Sequence, residues 1–143
     1  MRIRIHSLHW LFPVLACLSV LGGCGQDSPR RAIDGTVTLN GAPLAKGYIS
    51  FRPEVGSPGP TAGAEVVDGK YFISTEGGTF AGKFRVEITA SRPTGKKIPD
   101  RFTGELVDEY AQYLPERYNT QSELTAEVKG EGENQFEFTL GSG

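Results

Sequence analysis

The chain has 143 residues, of which 38% are hydrophobic, and its 15 basic and 17 acidic side chains give a net charge of -2. This length accommodates one domain with a single hydrophobic core. The balanced charge argues against a nucleic-acid-binding protein, because such proteins carry a strongly basic surface. The 19 glycines and 9 prolines predict many turns, which is typical of a strand-rich domain.

The N-terminal segment has the pattern of an export signal. Arg2 and Arg4 form a positive start, and the apolar stretch of residues 8–21 follows. As a helix this stretch would span roughly 21 Å, which is shorter than the ~30 Å hydrocarbon core of a bilayer. The segment therefore predicts a cleaved signal peptide over residues 1–23.

The end of this segment resembles the lipobox of bacterial lipoproteins. The tetrapeptide Leu21-Gly22-Gly23-Cys24 places leucine at -3, small residues at -2 and -1, and the cysteine that would be lipidated at +1. The resemblance implies cleavage between Gly23 and Cys24 and acylation of Cys24, with palmitate-type chains that would anchor the protein at a membrane. The resemblance also implies the bacterial sorting rule, in which aspartate at +2 retains a lipoprotein in the inner membrane. Gly25 occupies +2 here, so in a host with two membranes we expect the outer membrane, facing the periplasm or the exterior. An ordinary signal peptide with an incidental cysteine is the alternative.

Cleavage at this position would remove most of the reactive side chains from the protein. His6, His9, Trp10 and Cys17 lie in the predicted signal, and Cys24 would carry lipid. The remaining chain could build neither a Ser-His-Asp triad nor a Cys-His pair, and no zinc site with histidine or cysteine ligands. We therefore expect no enzyme activity, no catalytic residues, no cofactor and no metal. A carboxylate-based glycosidase is an alternative, but a sandwich this small rarely has the cleft it needs.

The rest of the chain is predicted to consist of a polar tether, residues 24–31, and one domain, residues 32–143. Seven segments of the domain show strand signals, mostly apolar and polar residues alternating with a period of two. Asn40-Gly41 and Asp68-Gly69 predict two-residue hairpin turns, because these residue types favour positive φ. The predicted strands are residues 32–39, 47–52, 61–67, 71–73, 83–90, 123–128 and 135–140. Their alternation predicts antiparallel sheets packed as a sandwich.

Residues 91–121 lack this alternation and are predicted to form one long loop, which is either functional or a misassigned element. Within the loop, residues 107–114 have apolar side chains at helical spacing and could form two turns of helix, which Pro115 would end. The predicted fold is thus all-β, a seven-stranded antiparallel β-sandwich with one long loop and room in it for a short helix.

Several short motifs occur in an order that resembles a known domain family. They are Gly35-Thr-Val37, Asn40-Gly41-Ala-Pro43-Leu44, Gly47-Tyr-Ile49, Asp68-Gly69-Lys-Tyr71 and Gly82-Lys-Phe84-Arg-Val86. Together they resemble the carboxypeptidase regulatory-like domain, which has a prealbumin (transthyretin)-like sandwich. The resemblance covers residues 33–90 and implies no peptidase activity, while residues 91–121 are similar to the corresponding part of small lipoproteins of this kind without assigned activity.

These observations predict an exported, lipid-anchored module of the cell envelope that binds a partner or has a structural role. The residues predicted to contact a ligand or partner are Tyr110, Tyr113, Arg117, Tyr118 and Asn119. A carbohydrate-binding accessory module that stacks sugars on the tyrosines is the alternative; the rings could equally bury apolar area against the sheet. Lys83, Arg85 and Glu87 on an outer strand face are a second candidate surface. The expected partners are the membrane, through Cys24, and an envelope protein or a glycan, but no nucleic acid.

Overall fold

The computed structural model describes residues 29–142. The predicted signal peptide, the cleavage site after Gly23 and the predicted lipidation site at Cys24 lie outside the described residues. Within residues 29–142 the regular structure consists of strands and a single 3₁₀ turn, so the predicted all-β fold is confirmed. This part of the chain contains no helix with the length and apolarity needed to cross a bilayer.

Each of the seven predicted segments overlaps one of the ten strands. The strands are β1 (Ile33–Leu39), β2 (Ala42–Pro43), β3 (Lys46–Pro53), β4 (Ala62–Val67), β5 (Lys70–Ile73), β6 (Gly82–Thr89), β7 (Ser91–Pro99), β8 (Leu106–Gln112), β9 (Thr125–Val128) and β10 (Gln135–Leu140), and the 3₁₀ turn is Glu116–Tyr118.

Seven strands form one curled sheet in the order β10-β1-β5-β4-β3-β6-β9, with β2 beside β1. Strands β4 and β5 pair at a single position, and the sheet folds over there. The Phe51 ring of β3 lies 6.0 and 6.5 Å from the rings of Phe136 and Phe138 on β10, and 6.1 Å from the ring of Tyr71 on β5. Side chains of the two halves therefore meet in one core, which is the predicted β-sandwich.

One strand pair departs from the predicted antiparallel arrangement. Strands β1 and β10 run parallel, with residues 34–39 in register with residues 135–140. A Cβ atom on Gly35 would overlap the carbonyl oxygen of Phe136 and would lie 2.7 Å from the Tyr71 hydroxyl, so glycine permits this close approach. The Tyr71 hydroxyl donates a hydrogen bond of 3.0 Å to that same carbonyl. The purely antiparallel prediction was wrong here because alternation identifies the buried face of a strand but not its neighbours.

Both predicted hairpin turns are confirmed. Asn40 and Gly41 have φ values of 53° and 82°, and Asp68 and Gly69 have φ values of 48° and 75°. Two consecutive residues with positive φ are what a two-residue turn needs to follow the right-handed twist of its strands.

The prediction of a loop with a short helix over residues 107–114 was wrong. Strands β7 and β8 pair antiparallel and form a second, two-stranded sheet. Every residue of β7 is exposed, and Glu109 is the only residue of β8 that is not. Because neither face of this hairpin is buried, its sequence has no reason to alternate. We refer to residues 91–112 as the arm.

The arm and the start of the domain lie at opposite ends of the sandwich. The first residue of β1 pairs with the last residue of β5, and the first residue of β5 pairs with the last residue of β4. The last residue of β4 pairs with the first residue of β3, and the beginning of β3 lies beside the end of β6, from which the arm leaves. At the other end, the Arg31 amide donates a hydrogen bond of 2.7 Å to the Thr79 carbonyl and holds the entry to β1.

Candidate functional site

The root of the arm is fixed by one glutamine side chain. The Oε1 atom of Gln112 accepts hydrogen bonds from the backbone amides of Ala90 (2.9 Å), Tyr113 (3.0 Å) and Leu114 (3.1 Å). The Tyr113 amide also donates to the Ala90 carbonyl at 3.0 Å. Leu114 then enters the core, and the Arg92 guanidinium lies 5.4 Å from the centroid of the Tyr113 ring. The chain therefore leaves and re-enters the sandwich at one defined point.

Two cross-strand contacts link the strands of the arm. The Lys97 ammonium lies 3.0 Å from the Asp108 carboxylate, and the Thr94 hydroxyl donates a hydrogen bond of 2.6 Å to the Glu109 carboxylate. Exposed ion pairs of this kind contribute at most about 1 kcal/mol. The backbone ladder between β7 and β8 therefore accounts for most of the order in the arm.

The tip of the arm is a hydrogen-bonded turn. The Asp100 carboxylate accepts hydrogen bonds from the amides of Phe102 (2.9 Å) and Thr103 (2.8 Å). The backbone of Asp100 closes the turn by donating to the Glu105 carbonyl (2.7 Å) and accepting from the Gly104 amide (2.9 Å). The amides of Thr103 and Phe102 lower the pKa of Asp100, because they stabilise its charged form. The turn holds the Phe102 ring outward, where it is 92% exposed.

The outer third of the arm is apolar on both faces. Ile98 pairs with Val107, and the next register pair is Pro99 with Leu106. Successive pairs in a hairpin point to opposite faces, so each face has one such pair close to the tip. All four side chains are exposed. A cluster of exposed apolar side chains on an element that buries none of them is typical of an interaction surface.

The structure places one of the five predicted contact residues on an exposed face of the arm, closer to its root than to this apolar cluster. Tyr110 lies on β8 opposite Pro93 and is 62% exposed. Tyr113 lies at the root of the arm, half-buried. Asn119 is buried, and its side chain is used within the chain: Nδ2 donates to the Pro115 carbonyl at 3.0 Å and Oδ1 accepts from the Thr120 amide at 2.9 Å.

Arg117 and Tyr118 connect the segment after the arm to the end of β10. The Gly141 amide donates to the Tyr118 hydroxyl, and Arg117 donates to the Gly141 carbonyl, both at 2.9 Å. The Arg117 guanidinium lies 5.0 Å from the centroid of the Tyr118 ring. The Gly141 amide, followed by Arg117, lowers the pKa of Tyr118. The five predicted residues therefore do not share one surface.

The second candidate surface, on the outer face of β3 and β6, is polar. Glu87 pairs with Arg52 and with Arg85, both at 2.9 Å, so its carboxylate compensates part of their charge. Arg52 and Arg85 also line an open depression of about 730 Å³. The Lys83 amide donates to the Ser57 hydroxyl at 2.9 Å.

Neither a metal site nor a known relative identifies the function. Within residues 29–142, no group of three or more histidine, cysteine, aspartate or glutamate side chains is placed to hold a metal ion. Comparisons with known protein families, with curated proteins and with solved structures found no match for this chain. The resemblance to the carboxypeptidase regulatory-like domain therefore stays a prediction.

The apolar residues near the tip were not singled out from the sequence. Phe102 and Leu106 lie within and directly after residues 100–105, which are otherwise polar or glycine and show no alternation. The sequence signal that could have found them is the turn itself. Asp100 begins this turn, and Thr103-Gly104 lie near its end. Aspartate at the first position and glycine near the end are typical of a tight turn, and a tight turn between two strands predicts a hairpin.

Proposed function

We propose that this chain is an exported, lipid-anchored β-sandwich protein that binds a partner in the cell envelope and has no catalytic activity. The observation that supports this most strongly is the arm, residues 91–112, which exposes both faces and carries Phe102 at its tip. A hairpin that buries almost none of its side chains contributes little to the stability of the sandwich. Contact with another molecule explains why such a hairpin is held at its root by the hydrogen bonds of Gln112 and at its tip by those of Asp100.

The position of the arm fits attachment through Cys24. Four residues separate Cys24 from Pro29, the first described residue, and the five steps between the two Cα atoms span at most about 18 Å when extended. The chain enters the sandwich through Arg31, at the end opposite the root of the arm. A lipid at Cys24 would therefore hold one end of the domain close to the membrane and leave the arm facing away from it.

The assignment to a carboxypeptidase regulatory-like domain is part of this proposal and is supported by the order of the sequence motifs. Stacking of sugars on the three tyrosines is less favoured. Tyr113 and Tyr118 are half-buried and each ring faces an arginine guanidinium, so only Tyr110 presents an open ring. A stacking platform usually needs more than one such ring.

The lipid anchor can be tested by mass spectrometry of the full-length chain expressed in bacteria. We expect the mature protein to begin at Cys24, to carry acyl chains there and to sediment with membranes. The Cys24→Ala variant should lose both the acyl chains and the membrane association. Cys17→Ala, within the predicted signal, is the matched control and should be processed normally. A purified chain that keeps Met1, or membrane association that persists without Cys24, would contradict the proposal.

A further inference from the structure

The two strands of the arm carry opposite charges. Strand β7 has three basic residues and no acidic one, whereas β8 has two acidic residues and no basic one. The residues are Arg92, Lys96 and Lys97 on β7, and Asp108 and Glu109 on β8. Asp108 pairs with Lys97, while Glu109 accepts its hydrogen bond from the uncharged Thr94 hydroxyl. Strand β8 therefore carries the acidic side chains of the strand pair, and Glu109 is the acid whose described partner is uncharged.

The backbone hydrogen bonds at the two ends of the β7–β8 ladder show which backbone groups of the arm point away from the neighbouring strand. The Tyr113 amide donates to the Ala90 carbonyl at the root, and the Asp100 amide donates to the Glu105 carbonyl at the tip. Bonded pairs alternate with non-bonded pairs along an antiparallel ladder. On β8, the backbone groups of Leu106, Asp108, Tyr110 and Gln112 therefore point away from β7.

Of the two strands of the arm, only β8 offers an edge that can accept another strand. By the same alternation, Pro93 and Pro99 occupy outward-facing positions of β7, where proline provides no N–H group. The register shift between Pro93 and Lys97 interrupts the same edge. Strand β8 contains neither proline nor glycine, and within residues 29–142 it pairs with β7 alone. An extended peptide can add to an edge of this kind through main-chain hydrogen bonds.

A second copy of this chain does not fit this edge. Two-fold pairing of β8 with the β8 of another copy, centred on Glu109 in the middle of the strand, would bring Asp108 and Glu109 close to the same acids of that copy, and facing like charges destabilise a sheet. Head-to-tail pairing of β8 with another β7 would meet the two prolines and the register shift. A partner strand that carries lysine or arginine would instead place basic side chains beside the acids of β8.

The exposed apolar side chains of the arm cover too little area to hold a partner alone. Phe102, Leu106 and their neighbours present a few hundred Å² at most, since a fully buried aromatic side chain covers about 150–250 Å². A standard protein interface buries about 800 Å² on each partner. Backbone pairing along β8 supplies an interaction that the apolar tip lacks.

We propose that the arm binds an extended, lysine- or arginine-bearing segment of another envelope protein. This segment adds as a third strand at the edge of β8, while Phe102 and Leu106 pack against its apolar side chains. The inference rests on the proposed function, because export and anchoring place the arm in the envelope. The lipid leaflet that would hold Cys24 is not the occupant, because the arm leaves the opposite end of the sandwich.

The experiment uses a photo-crosslinking amino acid at Phe102 in the full-length chain, in cells of the organism that makes it. The same probe at Phe72, which is 66% exposed on the sandwich, is the positional control. We expect Phe102 to give a discrete adduct whose partner peptide contains lysine or arginine, and Phe72 to give none. Adduct formation should fall about tenfold in Tyr110→Pro, which removes an outward N–H, and should fall much less in Tyr110→Ala, which removes the same ring.

A charge reversal gives a second, independent readout. Glu109→Lys should also suppress the adduct, whereas Glu65→Lys, at an exposed site on β4, should not. Unchanged urea midpoints would show that each variant keeps the sandwich. Crosslinks to a second copy, crosslinks to lipid, equal yields at Phe102 and Phe72, or equal losses in the two Tyr110 variants would each overturn the inference. Acylation of Cys24, measured in the same cells, separates these results from failure of the proposed anchor.

Discussion

Two phenylalanines in the same chain allow a direct test of the division between sandwich and arm. Phe51 is fully buried between the layers, with the rings of Phe136, Phe138 and Tyr71 at 6.0 to 6.5 Å, whereas Phe102 is 92% exposed. Replacing a buried phenylalanine by alanine removes the transfer free energy of the ring and leaves a cavity. This costs about 3–5 kcal/mol of the free energy of unfolding. The same replacement at Phe102 should change it by about 0.5 kcal/mol or less.

The measurement is urea unfolding of the purified protein, followed by circular dichroism. Phe51→Ala should lower the urea concentration at the midpoint of unfolding without changing the slope of the free energy of unfolding against urea concentration. It should also lower the melting temperature by about 10–20 °C in a domain of this size. Phe72→Ala, on the outer sheet face, is a further exposed control. A loss of more than about 1 kcal/mol for Phe102→Ala would show that the tip packs against the sandwich. The proposed role of the arm in binding would then lose its basis.

Two further predictions concern a turn and a buried hydroxyl. Gly69→Ala should destabilise the protein more than Gly41→Ala in the same urea assay. Both positions have positive φ, so alanine is strained at each of them. A Cβ atom on Gly69 would also lie 2.7 Å from the Cβ atom of Pro43, whereas one on Gly41 would meet nothing within 4 Å. Burial, and then the charge of Asp34, raise the pKa of Tyr71, so the folded state holds this proton more tightly than the unfolded state and stability should fall as the pH rises above about 10. Tyr71→Phe should reduce that fall in urea midpoints measured between about pH 8 and pH 11, and an unchanged fall would contradict the assignment.

Local sequence signals were sufficient for most of the sandwich. Alternation along β6 identified its buried face because that strand has the core on one side and solvent on the other. The two turns were predictable because Asn40-Gly41 and Asp68-Gly69 satisfy a purely local requirement on φ. The parallel pairing of β1 with β10 was not predictable, since it joins residues about a hundred positions apart and depends on the close approach at Gly35.

The strands of the arm were not predicted, for a different reason. Periodicity in a sequence reflects one-sided burial, and both faces of β7 and β8 are exposed. Val107 and Leu114 have the spacing of a helical stripe, but Leu114 is buried at the root of the arm and Val107 is exposed near its tip. Opposite charges on the two strands, such as Lys97 and Asp108, were a usable signal, because such pairs face each other in a hairpin.

The candidate site was predictable only in part. Aromatic residues in a polar segment were the basis of the predicted contacts, and one of them, Tyr110, is exposed on the arm. The sequence could not separate Tyr110 from Tyr118, whose hydroxyl accepts a hydrogen bond from the Gly141 amide and so links its segment to the end of β10. Nor could it separate Tyr110 from Asn119, which is buried and bonds to the Pro115 carbonyl within the same segment. The role of Tyr118 becomes visible only when the end of β10 and the segment after the arm are brought together.

The parallel alignment of β1 and β10 determines how the domain would carry tension. A pull between Arg31 and the arm acts at opposite ends of the sandwich and so runs along the strands. Strand β1 would have to slide past β10. The backbone hydrogen bonds along residues 34–39 would then bear the force together, instead of breaking one after another. If the protein is anchored at Cys24 and binds a partner through the arm, as proposed, the domain would in this way resist unfolding from its N-terminal strand.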